Sequence, residues 1–271
     1  ILIALPGPPR EWMPIFEKDI APYLKKKGLA GSWTIKTKTI KVLGLVEAEV
    51  NKIVKDLLAI GPDTTMGIYV RLGQVDLKIT SKARTDIAAN REIKIVEKEL
   101  RKRLGNHIYG ADSETLEFVV GKMLEKRTRT LAVAESCTGG LVASRVTDIG
   151  GSSSYFKMGV IAYSNEAKTK ILKVSKDSIK RYGAVSKEVA LDMAVNLRKL
   201  SGSDIALAVT GIAGPTGATA TKPVGLVHIA VVAGKVKTVK ECRFTGNRKE
   251  IKLQASTAAL DLVRMVLCEH L

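Results

Sequence analysis

The order of apolar and polar positions divides the chain into two regions of different style. "ILIAL" at residues 1–5, a Pro-rich turn and the run to Gly28 predict a strand followed by a helix. That pair is too small to bury a core and must dock on something else. In "SWTIKTKTIKVLG", Trp33, Ile35, Thr37 and Thr39 alternate against Lys36, Lys38 and Lys41, which predicts a half-buried strand. Val46, Val50, Ile53, Val54, Leu57 and Leu58 then follow helical spacing, and "TMGIYVRLGQVDLKITS" is a hairpin turning at Leu72–Gly73. A charged helix over 86–104 carries Ile87, Ile93, Val96, Leu100 and Leu104 near one stripe. These elements make a small α+β layer of order βαββα.

From Asp112 onward, strands alternate with helices. Leu116, Val119, Val120, Met123 and Leu124 form the apolar stripe of a helix over 112–126. Strand 130–135, helix 139–148 and strand 157–163 follow. Helical segments at 165–172, 175–181 and 186–200 lead to the almost unbroken apolar strand "DIALAVT" at 204–210, as suits a sheet covered on both faces. A hairpin turns around Gly234, and a last helix over 247–269 opens with Asn247 and Glu250, close to a capping box. The predicted fold is a three-layer α/β/α sandwich with a mixed sheet, preceded by the small α+β domain.

This topology locates a site without naming a reaction. A right-handed βαβ unit leaves strands 130–135 and 157–163 parallel. If the crossover 165–200 returns strand 204–210 in parallel, three carboxyl ends share one sheet edge. Three unusual segments fall there: "AESCTGG" (134–140), "YSNEAK" (163–168) and "TGIAGPTG" (210–217). Open α/β sheets bind ligands outside such ends.

The side chains available there restrict the chemistry. His107, His228 and His270 lie away from these segments, which argues against a Ser-His-Asp triad. Lys168, in the first turn of a helix that Asn165 would cap, can replace histidine as a base if its pKa is lowered. Two nucleophiles compete: Ser136 paired with Lys168, or Cys137 with Lys168 and Glu135. Strand alternation lets only one of them face the cleft. Thr138, Gly139 and Gly140 open a helix whose free N–H groups suit an oxyanion or a phosphate, although Ser136 or Thr138 would equally serve as its N-cap. "GIAGPTGATATKPVG" (211–225) is a flexible loop able to approach a ligand closely.

Composition narrows the classes further. The chain has 271 residues, 45% of them hydrophobic, and no apolar run long enough to span a bilayer. No secretory pattern opens it, and its first residue is Ile, as expected of a piece of something longer. Three cysteines are too few for a disulfide framework or a four-ligand zinc site, so reduced cytoplasm is the expected compartment. The net charge of +17 invites a nucleic-acid partner, but it is spread evenly: 20 basic against 12 acidic side chains in 1–110, and 24 against 15 in 111–271. With aromatics at only 4%, the charge reads instead as a solvated, Lys-rich surface like those of thermophiles, compatible with an anionic small substrate.

The motifs "AESCTGGLVASRVTDIGGSSSYFKMGVIAYSNEAK", "YGAVSKEVALDMA" and "AVTGIAGPTGATATKPVG" closely resemble the C-terminal domain of the CinA family, which also occurs alone as PncC-type nicotinamide-nucleotide amidases. The resemblance covers 111–271. Residues 27–110, with "GNHIYG", resemble the family's KH-type middle domain. "GLAG" (28–31) fits the KH GxxG pattern but lies between a helix and a strand, whereas that clamp joins two helices. "LPGPPREW" resembles the end of an N-terminal molybdopterin-binding-like domain, so 1–26 would be its remnant. The resemblance implies hydrolysis of the carboxamide of nicotinamide mononucleotide to nicotinate mononucleotide and ammonia, without metal or cofactor, in a cytoplasmic homodimer. At matching positions it implies Ser136 as nucleophile or water-activating hydroxyl and Lys168 as its base. Tyr163, Asn165 and Thr210 would be supporting polar groups, with Thr138, Gly139, Gly140, Gly211 and Gly214 as substrate contacts. The chain departs from the pattern at Ala218, commonly glycine, and at Ala220 or Thr221, often acidic. An inactive nucleotide-binding member of the family, or a nucleic-acid-binding protein, are the alternatives.

Overall fold

The computed structural model describes residues 1–29, 33–58 and 60–271. Ala30 and Gly31 of the GxxG pattern lie outside the described residues. Residues 1–6 form no strand, contrary to the expectation from "ILIAL". Helix α1 (Pro9–Ile15) passes through a π-helical turn at Phe16–Ile20 into α2 (Ala21–Lys26). No residue of 9–26 is buried. Its Trp12 and Phe16 rings pack edge to face on each other.

The first domain is a four-stranded antiparallel sheet of order β2-β3-β1-β4, formed by β1 (Thr34–Val42), β2 (Thr64–Arg71), β3 (Gln74–Ala83) and β4 (Ile108–Ala111). The short β4, bounded by Gly105 and Asp112, is an element that periodicity missed. Helices α3 (Glu47–Val54) and α4 (Asp86–Leu104) cover one face through Val50, Val54, Ile93, Val96 and Leu100. The face of β1 is the reverse of the one expected. Ile40 and Val42 are fully buried, which turns the even positions toward the helices and leaves Ile35 65% exposed. A period of two lets two well-packed residues fix the whole strand. Lys36 and Lys38 therefore run along the helix side, where they pair with Asp86 and Glu97 of α4 at 2.7 and 2.6 Å. Ile87, expected on the α4 stripe, is 83% exposed, and Ala89 takes its place.

The second domain is the three-layer α/β/α sandwich. Its sheet has the order β6-β5-β7-β8-β9, formed by β5 (Leu131–Glu135), β6 (Phe156–Ile161), β7 (Ile205–Gly211), β8 (Leu226–Ala233) and β9 (Val236–Arg243). β5 is parallel to both β6 and β7, while β8 and β9 run antiparallel, so the sheet is mixed. Side-chain size alternates across it. Leu131, Val133, Ile205, Leu207 and Val209 fill one core with α5 (Leu116–Lys126), α6 (Leu141–Thr147) and α10 (Arg248–His270). Ala132, Ala134, Ala206 and Ala208 face α9 (Lys187–Ser201), whose Val189, Ala190, Met193, Ala194 and Leu197 pack closely on the alanine surface. α5 starts four residues later than expected because Thr115 caps it, its side chain accepting from the Phe118 N–H.

The two domains share a seam. Leu43 and Tyr109 of the first domain enter the core of the second, and Arg264 of α10 donates to the Asn106 carbonyl at 2.8 Å.

Gly225 opens β8 at φ +91°, and a methyl there would overlap the Phe244 carbonyl. Gly225→Ala should cost about 3 kcal/mol or more, read as a lowered urea midpoint at unchanged slope. Gly150→Ala, in open space without positive φ, should stay within about 0.5 kcal/mol of the parent.

Candidate active site

The carboxyl ends of β5, β6 and β7 do share one edge, because both pairings of β5 are parallel. They border a cleft of about 260 Å³ lined by Ser136, Cys137, Tyr163, Asn165, Lys168, Thr210 and Arg248, together with the loop 211–217.

Alternation beyond β5 turns the two candidate side chains to different sides. Glu135 and Cys137 continue the side of Leu131 and Val133, whereas Ser136 emerges on the opposite side. Cys137 joins the core cluster, and burial pushes its thiol up to about 12, so it is protonated at neutral pH. Ser136 Oγ receives a hydrogen bond from Lys168 Nζ at 3.0 Å.

Lys168 lies in α7 (Asn165–Lys170) and is 1% exposed. Its amine also donates to the Ala162 and Tyr163 carbonyls, at 2.8 and 3.3 Å. No carboxylate partner accompanies these bonds, and burial pulls the ammonium below the ordinary lysine range. A neutral amine has two N–H groups and one lone pair. In that form the N–H groups stay on the two carbonyls and the bond to Ser136 reverses, the lone pair accepting from the hydroxyl. α7 is capped by Ser164, whose Oγ accepts from the Ala167 N–H at 3.0 Å. Asn165, expected as that cap, is the first helical residue and lines the cleft instead.

The start of α6 corrects another expectation. The Glu135 carboxylate accepts from the Gly140, Val142 and Ala143 N–H groups at 2.9, 3.1 and 2.8 Å. A charged side chain of the protein therefore occupies the positive end of α6, leaving no free N–H crown there for an oxyanion or phosphate. Gly139 N–H donates to the Ser136 carbonyl, and neither Thr138, Gly139 nor Gly140 lines the cleft. Gly140 has a different requirement: it caps α6 at φ +95°.

Thr210 Oγ1 donates to the Ala184 carbonyl at 2.8 Å, tying β7 to the loop before α9. Gly211 and Gly214 line the cleft. Each also has a packing reason to be glycine, since a methyl would meet Val227 and Val224 respectively at 2.7 Å.

Arg248, which sequence reading missed, donates to the Gly214 carbonyl and to Tyr163 Oη, both at 2.7 Å. It is the first residue of α10, where the helix dipole disfavours a cation. That mismatch was the available signal. Lys222, also missed, straps the glycine-rich loop to the 182–185 segment through the Tyr182 and Val185 carbonyls. Among the described residues, no three His, Cys, Asp or Glu side chains group as metal ligands, and no helix is long and apolar enough to cross a membrane.

Comparison with known proteins agrees with this architecture. The model of the CinA C-terminal domain matches residues 113–267, and that of the damage-inducible protein CinA KH domain matches 37–110. A protein of Thermoanaerobacter pseudethanolicus, provisionally named competence-damage inducible protein, is 46% identical over 98% of this chain and 64% of its own. A CinA-like protein of Kosmotoga olearia is 43% identical over the same shares. The chain thus spans less than two thirds of the length of these curated relatives. Among solved structures, the competence/damage inducible protein CihA from Agrobacterium tumefaciens aligns with a TM-score of 0.55 at 38% identity, over 57% of this chain and 94% of that one. Matched through both domains in the same order, the chain belongs to the CinA family.

Proposed function

We propose that the second domain hydrolyses the carboxamide of nicotinamide mononucleotide to nicotinate mononucleotide and ammonia. The observation that carries this reading is the buried Lys168 amine, oriented by two carbonyls and 3.0 Å from a cleft-lining serine. A serine–lysine pair of this kind is a nucleophile with its own general base. The substrate assignment rests on the likeness to nicotinamide-nucleotide amidases, supported by a cationic cleft. Arg248 spends donors on Gly214 and Tyr163 and retains others for the 5′-phosphate.

In this mechanism Ser136 Oγ attacks the carboxamide carbon while its proton passes to Lys168 Nζ. The tetrahedral intermediate collapses as the new ammonium returns that proton to the leaving nitrogen. Ammonia departs and a nicotinoyl ester remains on Ser136. Water then attacks the ester with Lys168 as base, nicotinate mononucleotide leaves, and the serine hydroxyl is restored.

Ser136→Ala and Lys168→Ala should each lower ammonia release from nicotinamide mononucleotide by at least about a thousandfold, and the double variant should lose little more. Cys137→Ala should stay within about threefold of the parent; its inactivation together with an active Ser136→Ala would reverse the assignment of the nucleophile. Tight nucleotide binding with no ammonia release by the parent would mark a binding protein instead.

The pH dependence has a definite sign. The working form of Lys168 is unprotonated and burial lowers its pKa. The value of kcat/KM should therefore rise with pH and level off below the ordinary lysine range. A profile still climbing through that range would show an unperturbed amine.

A further inference from the structure

Two cations hold the glycine-rich loop beside the cleft. Arg248 reaches the Gly214 carbonyl, and Lys222 Nζ donates to the Tyr182 and Val185 carbonyls at 2.5 and 2.7 Å. The base of the loop is closed by its own backbone, Ile212 N–H donating to Leu226 and Gly225 N–H to Ile212. Its tip is a turn in which Thr219 and Lys222 exchange backbone bonds at 2.9 and 3.3 Å. Residues 215–221 are exposed. Among the described residues from 215 to 222, only Lys222 makes a hydrogen bond outside the loop.

The segment that Lys222 reaches belongs to no strand. Residues 183–186 run from α8 (Lys176–Tyr182) to α9, and Ala184 and Val185 line the cleft. Thr210 Oγ1 holds the Ala184 carbonyl, and Lys222 holds the carbonyls on either side of it. Gly183, at φ +78°, leaves the space that the ammonium fills, since a methyl there would stand 2.7 Å from Nζ. The seat of the ammonium therefore depends on a glycine as well as on two carbonyls.

We propose that Lys222 is a positioning residue that latches the glycine-rich loop to the 182–185 segment and so fixes the spacing of two walls of the cleft. Its effect on turnover rests on the amidase reading; the latch itself does not. A loop containing Gly214 and Gly217 is costly to order, and holding it before the ligand arrives removes that cost from binding. Ser136 follows β5 and Lys168 lies in α7, neither of which Lys222 bonds, so losing the latch loosens the walls and leaves the reacting pair in place. Wall contacts act alike on substrate and transition state, which places the expected loss in KM and spares kcat. General destabilisation would do the reverse, lowering the active fraction and hence kcat at constant KM.

Lys222→Met keeps the length of the side chain and removes its donors. With nicotinamide mononucleotide and the full chain, KM should rise about tenfold while kcat stays within about threefold of the parent. Gly183→Ala, which crowds the ammonium and keeps Lys222, should shift KM in the same direction. Lys235→Met, the same charge change in the β8–β9 turn, should leave both constants unchanged. Hydrogen exchange followed by mass spectrometry reads the latch without turnover. Amides of 212–225 should exchange at least about threefold faster in Lys222→Met, while those of β5 keep their rates. A parent that releases no ammonia would end the amidase reading, and the exchange result would then decide the latch by itself. Unchanged exchange in Lys222→Met, a fall in kcat at constant KM, or an equal effect of Lys235→Met would overturn the proposal.

Discussion

The arrangement that the rest of the site depends on is one amine held out of water. A buried lysine without a carboxylate partner is expensive as a cation, and the fold meets its polarity with two backbone carbonyls and one hydroxyl. Those carbonyls belong to Ala162 and Tyr163, just past the end of β6, so the length of that strand sets where the amine sits. The hydroxyl follows β5, the neighbouring strand. Parallel pairing of β5 with β6 brings both groups to one sheet edge, and pairing with β7 adds Thr210 and the glycine-rich loop. Moving β5 or β6 by one register would separate the Lys168 amine from the Ser136 hydroxyl.

A second charge, Glu135, is placed by the same strand and faces the other way. Its carboxylate fills the N-terminus of α6 with three hydrogen bonds, each in the strong charge-assisted class. One stretch of sequence thereby supplies a structural anion, a hydroxyl bonded to a buried lysine and a buried thiol in consecutive positions. Pleating sorts them: the odd residues turn toward the α5–α6–α10 layer, where Glu135 caps α6 and Cys137 joins the core cluster, while Ser136 faces Lys168 across the cleft.

The first domain follows a different logic. Its sheet buries one face under α3 and α4 and leaves the other open, and its lysines divide accordingly. Lys36 and Lys38 lie under the helix edge in ion pairs, worth little each because they are partly exposed. Lys78 and Lys82 stand on the open face beside aromatic rings. Residue type alone does not separate these groups; register does. The seam through Leu43, Tyr109 and Arg264 joins this sheet to the sandwich.

By itself, the sequence determined the alternation of strands and helices from 112 onward, the hairpin at Leu72–Gly73, the α10 capping box and the sheet edge on which Ser136 and Lys168 meet. Periodicity, turn residues and handedness are local rules, and they were enough for those features. Only the tertiary structure decided which face of β1 is inside, because the signal of Ile40 and Val42 outweighed a longer but weaker alternation. It also decided that Glu135 fills the helix terminus that looked free, and that Arg248, about eighty residues beyond Lys168, closes the same cleft. Such features depend on what a group meets across the fold. A side chain's neighbours along the chain do not reveal whether its polar atoms, once buried, are answered by a backbone amide, a carbonyl or another charge.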